Sequence, residues 1–181
     1  MEELDAKEVT VVAHCLLNPL TRVRGLQPVE FRPAGPTVQL PCPEFLYLGP
    51  ERWAVTCNQL DVPEFRRFCR SLLTPYADLL EMLSHQGARL RIVGVAGSPS
   101  CGVQTTSSGY TGGRVRECEH AHLCGRGVFM EELLAELERR GVKVLVEEIG
   151  PNCTCKRMDE QEFGSMPEIA PFQREEIDRF D

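Results

Sequence analysis

Thiols at three separated places give this chain its most chemically suggestive pattern. Cys15 closes Ala13-His14-Cys15, Cys42 stands within Leu40-Pro41-Cys42-Pro43-Glu44, and Cys101 lies at the tip of Gly97-Ser98-Pro99-Ser100-Cys101-Gly102. Three cysteine ligands can hold a metal centre and leave one coordination position open. Zinc with three protein ligands and a free site is catalytic in this way. An iron–sulfur cluster bound by three cysteines likewise exposes a fourth iron, whereas ordinary electron-transfer clusters take four thiolates. Ferredoxin spacing and paired zinc-knuckle spacing are both absent from this trio, so spacing leaves the two metals open. A further use of the same residues is a thiol enzyme, with Cys101 as nucleophile beside His14.

Each cysteine follows a short apolar, β-rich run: Val9 to Ala13, Thr37 to Leu40, and Leu90 to Val95. Strands that end in such loops place their cysteines at the carboxyl edge of a sheet, where open α/β folds build their sites. Neighbouring strands of a parallel sheet lie about 4.8 Å apart, so distant thiols are expected to converge on one spot. Pro99 fixes one φ and pushes Ser98 into an extended conformation, which stiffens the Cys101 loop.

Around these runs the pattern predicts a first strand over 8–15, a second over 37–41, a third from Leu90 to Val95 and a fourth from Val142 to Val146. The segment Leu16 to Pro36, with four prolines and two glycines, is expected to be a long loop covering the site. Phe45, Tyr47 and Trp53 form an aromatic patch, read first as core and second as a pocket for a flat ring. Asp61-Val62-Pro63-Glu64 has the form of a helix start, with Asp61 as N-cap and Glu64 reaching back. Apolar residues then recur at the helical period from Phe65 to Leu83, with Cys69 on the apolar face and Pro75 marking a kink or a second helix. Residues 103–126 read as a loop with room for a small excursion, and Gly127 to Arg140 as a helix whose charges match its macrodipole. The sum is an α/β protein: a small Rossmann-like sandwich with a mostly parallel sheet of about four strands. Residues 1–150 form one α/β domain, and 151–181 a polar C-terminal extension with a weak helical patch near Glu175 to Phe180.

With 181 residues, 42% hydrophobic and 26% charged, the chain suits one soluble domain with a real core. A net charge of −7 argues against an extended nucleic-acid footprint, and Arg22, Arg24, Arg52 and Arg66-Arg67 are read as solvated rather than as a basic pocket. The acidic amino terminus is not a signal peptide, and no apolar run approaches the roughly 20 residues that cross a bilayer. These features point to a cytoplasmic protein without a membrane partner. Nine cysteines in a reducing compartment favour metal binding or catalysis over a disulfide framework.

The joined motifs Ala13-His14-Cys15-Leu16-Leu17-Asn18, Leu40-Pro41-Cys42-Pro43-Glu44 and Gly97-Ser98-Pro99-Ser100-Cys101-Gly102 closely resemble the signatures of the thiouracil desulfidase family, in its single-domain branch. Gly125-Arg126-Gly127-Val128-Phe129 and the Glu-Leu-rich helix after it extend the likeness, which covers roughly residues 9–146. The resemblance implies a 4Fe–4S cluster on Cys15, Cys42 and Cys101 with one open iron. It also implies hydrolysis of a thiocarbonyl to a carbonyl, with sulfur leaving as hydrosulfide and no net redox change. Glu44 is then the candidate acid/base, and Ser98 the candidate for positioning water or a small thiolated substrate. The continuation Phe45-Leu46-Tyr47-Leu48-Gly49-Pro50-Glu51-Arg52 differs from the Gly-Gly-Leu-Pro type of the better-known members, so 2-thiouracil itself is not implied. The additional domain of the larger members is absent from these residues.

Two further groupings carry ligand-type residues. Cys118, His120, His122 and Cys124 are close enough in sequence to bind an additional zinc, though not at the spacing of a standard finger. They underlie the competing expectation of a non-catalytic zinc-binding or redox-sensing module. Cys153-Thr154-Cys155 is too tightly spaced for an unstrained disulfide.

Overall fold

The computed structural model describes residues 8–109 and 121–150. In chain order the elements are β1 (Glu8–Val12), α1 (His14–Leu17), a single 3-10 turn (Pro19–Thr21), β2 (Thr37–Gln39), α2 (Pro43–Leu48) and α3 (Cys57–Leu60). The long helix α4 (Pro63–His85), β3 (Arg89–Val95), β4 (Thr105–Ser108), β5 (Ala121–Cys124), α5 (Val128–Arg139) and β6 (Val144–Ile149) follow.

Four strands make an all-parallel sheet in the order β2-β1-β3-β6, which gives a small Rossmann-like α/β fold. The chain runs outward from β1 to β2, then crosses back to β3 on the other side of β1. The strand order therefore reverses between β1 and β3, and open α/β sheets bind ligands beyond the carboxyl ends at such a point. Val11, Val12, Ile92 and Val93 are fully buried. Such runs, apolar on both faces, are what a covered parallel strand requires. The edge strand β6 is different: Leu145 is 62% exposed, and Glu147 and Glu148 sit within it.

The helix α4 buries Phe65, Cys69, Leu73, Ala77 and Leu80, a stripe at the helical repeat, and packs on α5. From α5 come Phe129, Met130, Leu133 and Leu137, all fully buried. Surface ion pairs staple the two helices, with Arg66 bonded to Glu131 and Glu132 and Arg140 to Asp78 and Glu81. Val29 and Phe31, from the irregular stretch before β2, also pack against the core.

Several sequence expectations are corrected here. Cys15 is not on the first strand: β1 ends at Val12, and Cys15 sits in the one-turn helix α1. The last strand lies two to three residues later than the apolar pattern suggests, because its pairing with β3 runs from Val144 to Ile149. Pro75 does not split the long helix. It lies on the exposed face, where the carbonyl deprived of a partner can be hydrated, and Thr74 donates its hydroxyl to the Arg70 carbonyl at 3.0 Å. Asp61 is not the N-cap; that position is Val62, and the Asp61 carboxylate instead accepts from Arg66 Nε at 2.6 Å. The aromatic patch divides: Tyr47 packs edge-on to Phe65, Phe45 lies beneath the Arg52 guanidinium, and Trp53 is 87% exposed. The stretch after Cys101 holds an antiparallel ribbon of β4 and β5, where a loop with a small excursion was expected. The extension 151–181 and Cys153-Thr154-Cys155 lie outside the described residues.

No helix among the described residues is long and apolar enough to cross a membrane. Because Phe129 is fully buried in the apolar core, Phe129→Ala is expected to lower unfolding stability by about 3–5 kcal/mol. Urea denaturation at neutral pH measures this directly.

Candidate functional site

Cys15, Cys42 and Cys101 line one cavity of about 220 Å³, together with Glu44 and Ser98. The cavity opens beyond the carboxyl ends of β1, β2 and β3. Each thiol is held by a different local device. Cys42 is the N-cap of α2, and its Sγ accepts the Phe45 amide at 3.4 Å. Cys15 lies in the first turn after β1, with Arg22 Nη1 at 4.0 Å from its Sγ. Cys101 is 5% exposed, and Ser100 Oγ lies 3.5 Å from its Sγ.

Burial is the chief influence on all three thiols. It raises Cys15 above the ordinary thiol range despite the opposing charge of Arg22, and pushes Cys42 up to about 11. Cys101 is driven well above its ordinary value, first by desolvation and then by the other two thiols. Burial thus favours the neutral thiol at all three positions. The same burial speaks against Cys101 as a nucleophile paired with His14. A thiolate is the reactive form, and the His14 ring is engaged elsewhere, with Nδ1 3.1 Å from the Leu40 carbonyl.

Glu44 sits in the first turn of α2 with only 8% of its side chain exposed. Both carboxylate oxygens are held. Ser100 Oγ donates to Oε1 at 2.5 Å, and Arg52 Nε lies 3.3 Å from Oε2. The Arg52 side chain is itself 4% exposed, and its Nη2 donates to the Thr21 carbonyl at 2.7 Å. Removing one partner from a buried ion pair costs about 3–5 kcal/mol, since the other charge is left uncompensated. The arginines divide accordingly: Arg24 pairs with Glu51 on the surface and Arg66 with the acids of α5, while Arg22 and Arg52 enter the cavity.

The sequence offers Ser98 as the residue that positions water or substrate; the structure shows what each serine of the loop bonds. Ser98 Oγ accepts the Cys101 amide at 3.0 Å, so it shapes the loop. Ser100, 1% exposed, is the hydroxyl joined to the carboxylate. The signal that could have found it is the alternation in Ser98-Pro99-Ser100: two serines around a stiff proline direct their hydroxyls to different neighbours.

The Cys101 loop is fixed from three sides. Glu148, on β6, accepts the amides of Val103, Gln104 and Thr105 at 3.1, 2.9 and 3.1 Å and the Thr105 hydroxyl at 2.6 Å. Thr105 Oγ in turn accepts the Gly97 amide at 2.8 Å. Helix α5 donates its first amides back to the loop, from Val128 to the Pro99 carbonyl and from Met130 to that of Ser100, both at 3.0 Å. This contact is close because residue 127 is glycine: a Cβ there would stand 2.3 Å from the Ser100 carbonyl carbon. Gly97 has φ +71°, and His122 lies against it, bringing β5 to the cavity wall. Sequence reasoning did not anticipate the Glu148 clamp, Ser100 or the reach of β5.

Of the second ligand grouping, Cys118 and His120 lie outside the described residues. His122 lines the thiol cavity, and Cys124 is disulfide-bonded. Cys57 and Cys69 are free, the latter on the apolar face of α4 as expected. Among the described residues no three His, Cys, Asp or Glu side chains stand close enough to grip a single metal ion. A single zinc draws each sulfur to about 2.3 Å, which crowds the ligands together.

Among curated proteins, the chain is similar to an uncharacterized protein, MJ0003, of Methanocaldococcus jannaschii. The two are 25% identical over 159 residues, covering 82% of this chain and 90% of that protein. No family model matches the chain, and no solved structure matches it.

The two serines can be told apart. Ser100→Ala leaves a buried carboxylate short of a donor and is expected to cost about 1–3 kcal/mol in denaturant unfolding. Ser98→Ala removes an acceptor from a half-buried amide and is expected to cost about 0.5–1.5 kcal/mol in the same measurement.

Proposed function

We propose that this chain is an iron–sulfur-dependent desulfidase of the reducing cytoplasm. It takes a thiolated nucleobase or similar small thiocarbonyl compound and exchanges sulfur for the oxygen of water. The observation that supports this most is the meeting of three thiols, from three separate strand ends, in one cavity beside a buried carboxylate. The reaction is C=S + H₂O → C=O + H₂S, with sulfur leaving as hydrosulfide and a proton near neutral pH. No electrons are gained or lost.

Cys15, Cys42 and Cys101 are the residues that would hold a 4Fe–4S cluster, and the donor set fits one. It is all sulfur, and the three thiols line one cavity. When bound, the cluster supplies Lewis acidity toward sulfur through its open iron. Arg22, beside Cys15, offsets the negative charge that deprotonation leaves on that thiol.

The remaining work belongs to the chain's own groups. Glu44 accepts a proton from water and returns one to the departing sulfur or the ring. Ser100 and Arg52 each hold one of its oxygens, so the carboxylate is aimed, and each oxygen keeps a further lone pair for water. Val23, Leu26, Val55 and Val95 line the cavity with apolar surface, which limits bulk water and strengthens the charged contacts inside.

Anaerobic reconstitution is expected to give a brown protein with about four irons per chain and broad absorption near ~400 nm. Serine at Cys15, Cys42 or Cys101 should each lower iron content. Sulfide release should appear in a screen of thiolated pyrimidines, purines and nucleosides. Glu44→Gln is expected to retain iron but lose about 10²–10⁴-fold in kcat. Stoichiometric zinc without iron, or a full cluster that releases no sulfide from any of these compounds, would overturn the proposal.

A further inference from the structure

Buried polar atoms in a folded protein are nearly always hydrogen-bonded, so each exception calls for an explanation, a bound water, ion or ligand among them. Among the described residues four buried side-chain nitrogen or oxygen atoms lack a hydrogen-bond partner: Arg22 Nε, Arg52 Nη1, Arg91 Nε and Ser107 Oγ. Arg91 Nε is accounted for by its ion pair with Glu8, 3.0 Å away. The other three belong to residues lining the thiol cavity. They arrive from three unrelated places: the stretch after the 3-10 turn, the stretch after α2, and strand β4.

Their chemistry is one-sided. The guanidinium nitrogens can only donate, and the serine hydroxyl can donate as well. The charge is one-sided too. The cavity's charged residues are Arg22, Arg52 and Glu44, two cations against one carboxylate. Glu44 is already satisfied by Arg52 Nε and Ser100, which leaves Arg52 Nη1 in surplus. What meets these donors must accept hydrogen bonds, and two guanidinium donors favour an acceptor that carries negative charge. The apolar lining, with Leu26, Val55 and Val95, suits the face of a flat apolar ring.

We infer that the substrate carries a carboxylate besides its thiocarbonyl, and that Arg52, Arg22 and Ser107 bind that carboxylate. This rests on the desulfidase reading for the thiocarbonyl, but the carboxylate subsite stands on the unpartnered donors alone. The arginine at 52 then has two duties, aiming Glu44 through Nε and holding substrate through Nη1. A lysine cannot perform both, because one ammonium lacks the planar fork.

The test is equilibrium binding to the purified, reconstituted protein of two sulfur-free probes that differ only in the group at issue: uracil and uracil-6-carboxylate. The carboxylate is expected to bind at least about tenfold more tightly. Arg52→Lys should abolish most of that preference. Ser107→Ala, which keeps both cations, should reduce it about threefold. If Arg52→Lys does not fold, Arg22→Lys and Ser107→Ala carry the comparison. Equal affinity for the two probes in the parent protein overturns the inference, as does a preference that survives in every variant. The two proposals fail separately. Carboxylate preference without sulfide release removes only the desulfidase, and sulfide release from uncharged thiocarbonyls without carboxylate preference removes only this subsite.

Discussion

A carboxylate removed from water has to be met by donors, and the Glu44 carboxylate is met by two that come from different parts of the chain. Ser100 belongs to the loop after β3, and Arg52 to the stretch after α2, itself tied to the 3-10 turn through the Thr21 carbonyl. One ionised group thus knits together the segments that carry Cys42 and Cys101 and the turn just beyond Cys15. Its desolvation is offset when these segments are in place together, so the pairing favours the arrangement that brings the thiols to one cavity.

The sheet supplies the rest of the geometry. Parallel strands end at the same edge, and the reversal of order between β1 and β3 opens a cleft there. Glu148 adds a further hold on the loop after β3, gathering three consecutive amides from the chain leaving Cys101. A carboxylate bonded to three amides is an economical clamp, because it satisfies backbone donors that an irregular loop would otherwise leave exposed to the interior.

Much of this architecture was legible in the sequence. The β-branched runs before each cysteine mark strands, and their period and flanking turns identify a parallel α/β fold. The line of apolar residues from Phe65 to Leu80 marks α4. What could not be read follows from interactions between residues distant in sequence. Whether Ser98 or Ser100 faces Glu44 depends on how α5 presses on the loop at Gly127, which no local pattern records. Asp61 has the sequence form of a cap, yet Arg66 competes for its carboxylate more strongly than the helix amides do. The ribbon of β4 and β5 escaped notice because Thr105 to Ser108 is short and polar, and its pairing partner lies across an insertion. Arg22 and Arg52 look like any surface arginines until the fold covers them.

The clamp on the cysteine loop comes from β6, the last strand of the sheet in chain order. During synthesis the amino-terminal strands and α4 emerge first and can begin to collapse, but Glu148 is among the final residues of the domain to leave the ribosome. Until it docks, the amides of Val103, Gln104 and Thr105 lack their acceptor on the sheet. The chain leaving Cys101 therefore takes its final shape late, after the strands and helices that precede it have packed.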